Sequence, residues 1–228
     1  MTPPHVLYLH GFASSPASAK ARLFAERLAP HVRSFHCPDL NQPDFSTLSV
    51  TRMLDAVARA LEALPDGPVV LIGSSLGGLV ALHAAAEDRR RPAAPRIDRL
   101  VLLAPALEFA TRASRLAREL PSAGSRRVEV FHHAYGRTVP LDVALYEDAA
   151  RYDPFALALD LPVLLFQGTR DEVVHPDAAV RFARPRPNVR LRLLDDDHRL
   201  VASFDVIWRE TAAFLGLDPG APPVRSPA

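Results

Sequence analysis

Short apolar runs alternate along this chain with longer stretches of helical periodicity, and this alternation constrains the fold more than any other feature of the sequence. Several of the short runs are apolar almost throughout, as expected for strands that are buried on both faces of a sheet. Parallel strands need a crossover connection, which a helix usually provides. The alternation therefore predicts an α/β fold with a mostly parallel sheet flanked by helices.

The pattern predicts about six strands and five flanking helices within a single domain over residues 1–217. The predicted strands cover residues 5–10, 33–37, 69–72, 99–104, 163–167 and 189–194. The predicted helices cover residues 17–28, 48–64, 76–87, 177–182 and 200–215. The segment 218–228 is rich in Pro, Gly and Ala, and we expect it to be disordered.

A long insertion, about residues 106–160, separates the fourth and fifth predicted strands. It contains helical patterns around 111–120 and 141–151, joined by a polar, glycine-containing stretch in which only 128–131 alternates briefly. Connections of this length are usually functional. We therefore expect a helical cap over a site.

Composition and charge narrow the class of protein. The chain has 228 residues, of which 48% are hydrophobic and 23% charged, as in globular proteins. A net charge of +1 gives no basic footprint for a nucleic-acid partner. Lys20 is the only lysine, which we interpret as a composition bias toward arginine rather than a functional device. The single cysteine, Cys37, excludes an internal disulfide.

The sequence gives no sign of a membrane partner. No apolar run reaches the roughly 18 residues that a transmembrane helix needs. The N-terminal residues MTPPHVLYLH lack the basic and apolar regions of a signal peptide and begin directly with a strand pattern. We expect a cytoplasmic protein with an intact N-terminus.

The segment VVLIGSSLGGLV, residues 69–80, contains Gly73-Ser74-Ser75-Leu76-Gly77, which matches the G-x-S-x-G nucleophile elbow. It follows an apolar strand and opens an apolar helix, the context in which this motif presents a serine for attack. A Gly/Ser-rich turn or a phosphate-binding helix N-terminus is the alternative. The usual phosphate-loop patterns are absent. We predict that Ser75 is a nucleophile.

A serine hydroxyl needs a base to take its proton and a third group to orient that base. After an elbow the expected chain order is serine, acid, histidine. Asp171 follows the predicted strand 163–167, and His198 follows the next one, so both loops reach the carboxyl edge of the sheet. We predict that Asp171 is the acid and His198 the base. The alternatives for the acid are Glu172 and the run 195–197, which we interpret as a solvated turn.

Backbone amides must stabilise the negative charge that develops on a substrate oxygen. One amide should belong to Leu76, the residue after the nucleophile, and the other to the loop after the first strand, where Phe12 is the better candidate. Gly11 permits the turn, and His10 and Ser74 shape the site. An ordinary glycine turn is the alternative interpretation of His10-Gly11-Phe12.

Four segments, VLYLHGFASSPASAKA, GSSLGGLVAL, GTRDEVV and DDDHRL, together resemble the small bacterial esterases of the YqiA/YcfP type within the α/β-hydrolase superfamily. The resemblance is spread over most of the chain but is thin in the insertion. It implies an α/β-hydrolase sheet with strand order 2-1-3-4-5-6 that begins at the superfamily's third strand. It also implies a Ser-Asp-His triad and an oxyanion loop on the positions already named, and hydrolysis of acyl esters.

We therefore expect a serine hydrolase that cleaves small carboxylic-acid esters through an acyl-enzyme intermediate, with a small-molecule ester as its partner. This chemistry needs neither a cofactor nor a metal, and the sequence has no metal-ligand spacing. The same triad would also serve a thioesterase or an acyltransferase. A non-catalytic binding module on the same fold ranks lower, because such modules usually lose a triad member.

Overall fold

A computed structural model describes residues 2–122 and 126–217, which contain eight strands. They are β1 (His5–Leu9), β2 (Ser34–His36), β3 (Val69–Ser74), β4 (Ile97–Leu103), β5 (Arg127–His132), β6 (Arg137–Asp142), β7 (Val163–Gly168) and β8 (Val189–Leu194). Six of them form one parallel sheet in the order β2-β1-β3-β4-β7-β8. This confirms the predicted sheet, because the order is 2-1-3-4-5-6 once β5 and β6 are left out.

Seven α-helices lie in the described part of the chain. They are α1 (Ala19–Leu28), α2 (Val50–Ala63), α3 (Leu76–Arg90), α4 (Phe109–Ser122), α5 (Ala144–Ala149), α6 (Pro176–Ala183) and α7 (Phe204–Leu215). Serine side chains cap the first two, since Ser18 accepts from the amide of Ala21 and Ser49 from that of Arg52. The last helix ends at Gly216, whose φ of 68° is the usual left-handed stop.

The sheet divides the core into two layers, because successive side chains of a strand point to opposite faces. Val6 and Tyr8 of β1 pack with α1 and α7, whereas Leu7 and Leu9 pack on the other face with α2, α3 and α6. Both faces of β1, β3 and β7 are fully buried. The loops that leave the carboxyl ends of these strands therefore stand on a rigid base.

The insertion differs from the helical cap that the sequence predicts. Residues 127–142 form an antiparallel hairpin of β5 and β6, which turns at Gly136 with φ 64°. The predicted helix over 141–151 is therefore shorter and begins at Ala144. The physical reason is alternation with a period of two, because Val139 and Leu141 are buried whereas Pro140 between them is exposed.

The insertion contacts the segments that follow β2 through His132 and Asp148, among other attachments to the remainder of the protein. The ring of His132, at the end of β5, packs edge-on against Phe45 with 4.6 Å between ring centroids. Asp148, on α5, accepts two hydrogen bonds from Thr51 in the first turn of α2, from the amide at 2.9 Å and from the hydroxyl at 2.6 Å. The insertion is thus held against the loop and helix that follow β2.

Two further expectations concern the ends of the chain and the membrane. Residues 218–228, predicted to be disordered, lie outside the described residues. Within the ranges that the structure describes, none of the helices combines the length and apolar character that crossing a bilayer requires.

We predict that Asp148→Ala lowers the free energy of unfolding by about 2 kcal/mol, because it removes two hydrogen bonds to a carboxylate. Urea denaturation measures this loss. Glu147→Ala is the matched control on the same helix, since that carboxylate pairs with the exposed Arg126 and should contribute below about 1 kcal/mol. Equal losses in the two variants would show that the contact with Thr51 does not anchor the insertion.

Candidate active site

Ser75 lies at a sharp turn between β3 and α3, with φ 52° and ψ −118°. This turn requires glycines on both sides, because a Cβ at Gly73 would lie 2.5 Å from the carbonyl oxygen of Gly77. A Cβ at Gly77 would lie 2.1 Å from the carbonyl oxygen of Leu9. The G-x-S-x-G segment thus adopts the strand–turn–helix geometry that its sequence predicts.

Backbone strain in the described residues is concentrated at this edge of the sheet. Four non-glycine residues have a positive φ: Ala13, Ser75, Ala104 and Leu200. Each lies in a connection that leaves the carboxyl end of a strand, namely β1, β3, β4 and β8 in turn. Left-handed backbone is unfavourable for such residues and clusters at functional sites, where the surrounding structure maintains it.

His198 joins the two other residues predicted for the site. Its Nδ1 atom lies 2.8 Å from Oδ2 of Asp171, and its Nε2 atom lies 3.1 Å from Oγ of Ser75. With Asp171 ionised, Nδ1–H donates to the carboxylate, which leaves Nε2 free to accept the hydroxyl proton. The three side chains come from loops after β3, β7 and β8, and they form one continuous hydrogen-bonded relay.

The carboxyl group of Asp171 is buried and fully hydrogen-bonded. Its Oδ1 accepts from the amides of Val173 at 2.9 Å and Val174 at 2.8 Å. Burial alone would raise the pKa of this carboxyl, but the hydrogen bonds from His198 and the two amides outweigh it and hold the pKa below its ordinary value of 3.8. Asp171 is therefore ionised at neutral pH.

The loop after β1 lies directly against the elbow. A Cβ at Gly11 would lie 3.3 Å from both the carbonyl oxygen of Ser74 and the Cβ of Ser75. Ser74 itself is buried beneath the turn. Over residues 2–122 and 126–217, the amides of Phe12 and Leu76 donate to no protein acceptor. These are the two amides predicted to stabilise an oxyanion, and both remain available to a ligand.

His10 determines how the amide of Phe12 is oriented. The His10 ring is buried; its Nε2 accepts from the Leu40 amide at 3.0 Å, so Nδ1 carries the proton and donates to the Gly11 carbonyl at 2.9 Å. Burial lowers the pKa of His10, which keeps the ring neutral. Because the Gly11 carbonyl and the Phe12 N–H belong to one trans peptide, anchoring the carbonyl on His10 directs the N–H the opposite way.

The alternatives for the acid do not replace Asp171. Glu172 is exposed, and the nearby His175 caps the N-terminus of α6. The prediction of a solvated turn over 195–197 is wrong for Asp196, which is buried and accepts from the amides of Asp197 and Ser203 at 2.8 Å each. The reason is that this carboxylate stabilises the backbone of the turn that carries His198. In the described part of the chain, no three His, Cys, Asp or Glu side chains come together as a metal site.

A cleft of about 200 Å³ adjoins the relay, between the start of α4 and the loop after β7. The residues that line it are Ala106, Glu108, Phe109, Arg112, Glu172, Val173, Val174 and His175. Three of them bond to residues of the relay, since the amide of Ala106 donates to the Ser75 carbonyl at 3.0 Å and the amides of Val173 and Val174 donate to the carboxylate of Asp171. The cleft therefore adjoins the backbone that carries Ser75 and Asp171.

Two polar side chains near the relay were not predicted from the sequence. Gln167, in β7, donates to Asp171 at 2.8 Å. Lys20, in the first turn of α1, has a pKa lowered to about 8 because it is buried, against the opposing effect of Asp171, Asp196 and Asp197. The solitary lysine in an arginine-rich chain was the available signal for Lys20. No sequence signal indicated Gln167, because a glutamine in an apolar strand has no motif.

Comparison with known proteins gives two curated relatives that match part of the chain. Lipase LipV of Mycobacterium tuberculosis is 38% identical over 111 residues, which are 46% of this chain and 38% of the lipase. The pimeloyl-[acyl-carrier protein] methyl ester esterase of Xanthomonas axonopodis pv. citri is 36% identical over 130 residues, 56% of this chain and 45% of the esterase. The matched regions therefore span less than half of either relative.

Solved structures agree with the fold over nearly the whole chain. Mouse alpha/beta hydrolase domain-containing protein 10 superposes with a TM-score of 0.77 at 19% identity, over 95% of this chain and 92% of the mouse chain. The fold is thus an α/β-hydrolase fold, as the motifs predict. A family model described as an uncharacterised protein family, UPF0227, matches residues 5–215, which confirms the family resemblance indicated by the four sequence segments. This chain belongs to the UPF0227 family.

Proposed function

We propose that this protein hydrolyses small carboxylic-acid esters through an acyl-enzyme intermediate on Ser75. The observation that carries this proposal is the relay from Ser75 through His198 to Asp171, with distances of 3.1 and 2.8 Å, at a strained elbow. The names of the two curated relatives, a lipase and a methyl ester esterase, support an ester as the substrate. The free amides of Phe12 and Leu76 support stabilisation of an oxyanion.

In the first half of the reaction, Oγ of Ser75 attacks the ester carbonyl carbon while its proton passes to Nε2 of His198. The carbonyl electrons move to oxygen, where the two amides stabilise the negative charge. Asp171 stays ionised and stabilises the imidazolium that forms. The tetrahedral intermediate then collapses, and the leaving alcohol takes the proton from His198.

In the second half, His198 removes a proton from water, which attacks the acyl-enzyme carbonyl. Collapse of the second tetrahedral intermediate releases the carboxylic acid and returns the proton to Ser75. The same groups would cleave a thioester or pass the acyl group to another alcohol or amine, and product analysis separates these reactions from hydrolysis.

We expect the wild-type protein to hydrolyse p-nitrophenyl esters, and Ser75→Ala and His198→Ala to lower kcat by about 10⁴-fold or more. Initial rates over acetate to decanoate measure this. His36→Ala is the matched control, because His36 is exposed in the edge strand β2 and lies outside both the relay and the cleft; we expect its rates to equal the wild type. Turnover that survives in Ser75→Ala would contradict the nucleophile assignment.

The cleft beside the relay predicts a preference for short acyl chains. At roughly 30 Å³ per water-sized group, a cleft of about 200 Å³ holds on the order of six or seven such groups. We expect butyrate and hexanoate esters to be better substrates than decanoate. Phe109→Ala should enlarge the cleft and raise the octanoate-to-butyrate ratio of kcat/KM about threefold or more.

Phe155→Ala is the matched control for Phe109→Ala, because it removes the same ring from a position that packs on Phe182 and does not line the cleft. Its chain-length profile should equal that of the wild type. A profile that shifts equally in both variants would show that the cleft does not hold the acyl chain.

The lowered pKa of Asp171 predicts a pH dependence of stability. A carboxyl whose pKa is lower in the folded state stabilises the fold above its unfolded pKa, and this contribution is lost as pH falls through the folded value. From pH 7 down to below 3.8, the free energy of unfolding should therefore fall more for the wild type than for Asp171→Asn. Urea denaturation at a series of pH values measures this.

Asp195→Asn is the control for this titration, since it removes an exposed carboxylate from the neighbouring loop. The free energy of unfolding of Asp195→Asn should change with pH as that of the wild type does, from pH 7 down to below 3.8. Parallel curves for the wild type and Asp171→Asn would contradict the lowered pKa.

A further inference from the structure

Gln167 is a polar side chain inside an otherwise apolar strand. It is the fifth residue of β7, VLLFQG, and it is fully buried. Its Oε1 atom has no hydrogen-bond partner within the described residues. Burying an amide oxygen without a partner costs free energy. The hydrogen bonds that the amide nitrogen donates must therefore explain why a glutamine occupies this position.

The amide nitrogen of Gln167 faces three acceptors. Nε2 lies 2.8 Å from Oδ2 of Asp171, 3.1 Å from the carbonyl oxygen of Val174 and 3.4 Å from that of Gly168. Rotating the amide by 180° would direct its oxygen at these three oxygens, so the chemistry of the partners determines its orientation. The Gln167 amide therefore bonds both to the carboxylate of Asp171 and to the carbonyl of Val174, which lies in the loop that carries Asp171.

Gln167 completes the coordination of the Asp171 carboxylate. The backbone amides of Val173 and Val174 occupy Oδ1, whereas Oδ2 accepts from His198 and from Gln167. Without Gln167, the oxygen that orients the imidazole would accept from the imidazole alone. The amide of Gln167 thus restricts the position of Oδ2 and shares its negative charge.

We propose that Gln167 is a positioning residue for the triad, whose amide holds Oδ2 of Asp171 where it aligns His198 with Ser75. The inference rests on the proposed function, since it assigns a role within the same relay. Gln167 touches no substrate and acts through Asp171 alone.

Other charged groups act electrostatically around the Asp171–His198 pair. Lys20, in the first turn of α1, interacts with the charge of Asp171, and Asp196 and Asp197 belong to the loop that carries His198. A change at Gln167 leaves all three in place. A difference in kcat between the wild type and a Gln167 variant therefore reports the loss of the amide.

We expect Gln167→Met, which keeps the length of the side chain but cannot donate, to lower kcat on p-nitrophenyl acetate about ten- to hundredfold with little change in KM. Oδ2 of Asp171 is then no longer held in one position, so the carboxylate aligns His198 with Ser75 less often while the surfaces that bind substrate are unchanged.

Asn188→Leu is the matched control for loss of an amide donor, on a half-buried side chain. Its Nδ2 donates to the carbonyls of Leu159 and Leu161 at 3.0 and 2.7 Å, at the amino end of β7 and away from the relay. This variant should lose stability, yet keep the wild-type kcat and pH profile. Equal effects of Asn188→Leu and Gln167→Met on kcat would reduce Gln167 to a structural role and overturn the proposal.

Gln167→Glu covers the case in which Gln167→Met fails to fold. A protonated carboxyl group at this position can donate to Asp171, whereas an ionised one repels it. The activity of this variant should therefore fall with rising pH where the wild type's does not. A profile that superimposes on the wild type would overturn the proposal.

Nuclear magnetic resonance separates failure of this inference from failure of the proposed function. The Nδ1 proton that His198 donates to Oδ2 of Asp171 can be observed without substrate in the wild type and in the Gln167 variants. A weakened or lost signal for this hydrogen bond in Gln167→Met supports the positioning role even if no ester is turned over. An unchanged signal overturns it, whatever the esterase assay shows.

Discussion

Ser75 adopts a left-handed backbone because β3 must turn into α3 within one residue, and the close contact between Gly77 and the end of β1 permits no wider turn. The same contact brings the loop after β1 against the serine, with Gly11 packed on its Cβ. The hydroxyl and the two free amides are thus placed together by a single backbone approach. Strands β1, β3 and β7, which are buried on both faces, hold this strained turn in place.

Electrostatics at the site follow from burial combined with paired hydrogen bonds. Asp171 is buried yet ionised, because the hydrogen bonds from His198 and from the amides of Val173 and Val174 outweigh the loss of water. His10 is buried and neutral, because burial lowers its pKa, while one ring nitrogen accepts from a backbone amide and the other donates to a carbonyl. One buried group therefore supplies a fixed negative charge to the relay, whereas the other orients a peptide without adding charge next to the free amide of Phe12.

The insertion contacts both the site and the loop and helix that follow β2. Its helix α4 lines the cleft beside Ser75, while its hairpin and α5 contact the loop and helix after β2 through His132 and Asp148. The insertion is therefore held to the rest of the protein on two sides. The cleft is formed jointly by α4 of the insertion and by the loop after β7, which also carries Asp171.

Local patterns determined most of the fold. Apolar runs predicted all six sheet strands, because a strand buried on both faces is apolar along its length. Helical periodicity predicted the flanking helices, because a helix buried along one stripe repeats its apolar residues every three or four positions. Strand context and chain order likewise predicted that Ser75, Asp171, His198, Phe12 and Leu76 would share one edge, where the structure brings them together.

Only the tertiary structure decided what depends on contacts between distant segments. The cleft at Phe109 and the approach of His198 to Ser75 both arise where separate loops meet. Composition bias is all that the sequence indicates for Lys20, whereas in the structure its pKa is lowered by burial against the charges of three carboxylates. The sequence by itself therefore determined which elements form and which residue types could react, because these follow from neighbours along the chain. The position and hydrogen-bond partners of each side chain were decided by packing between strands that lie far apart in sequence.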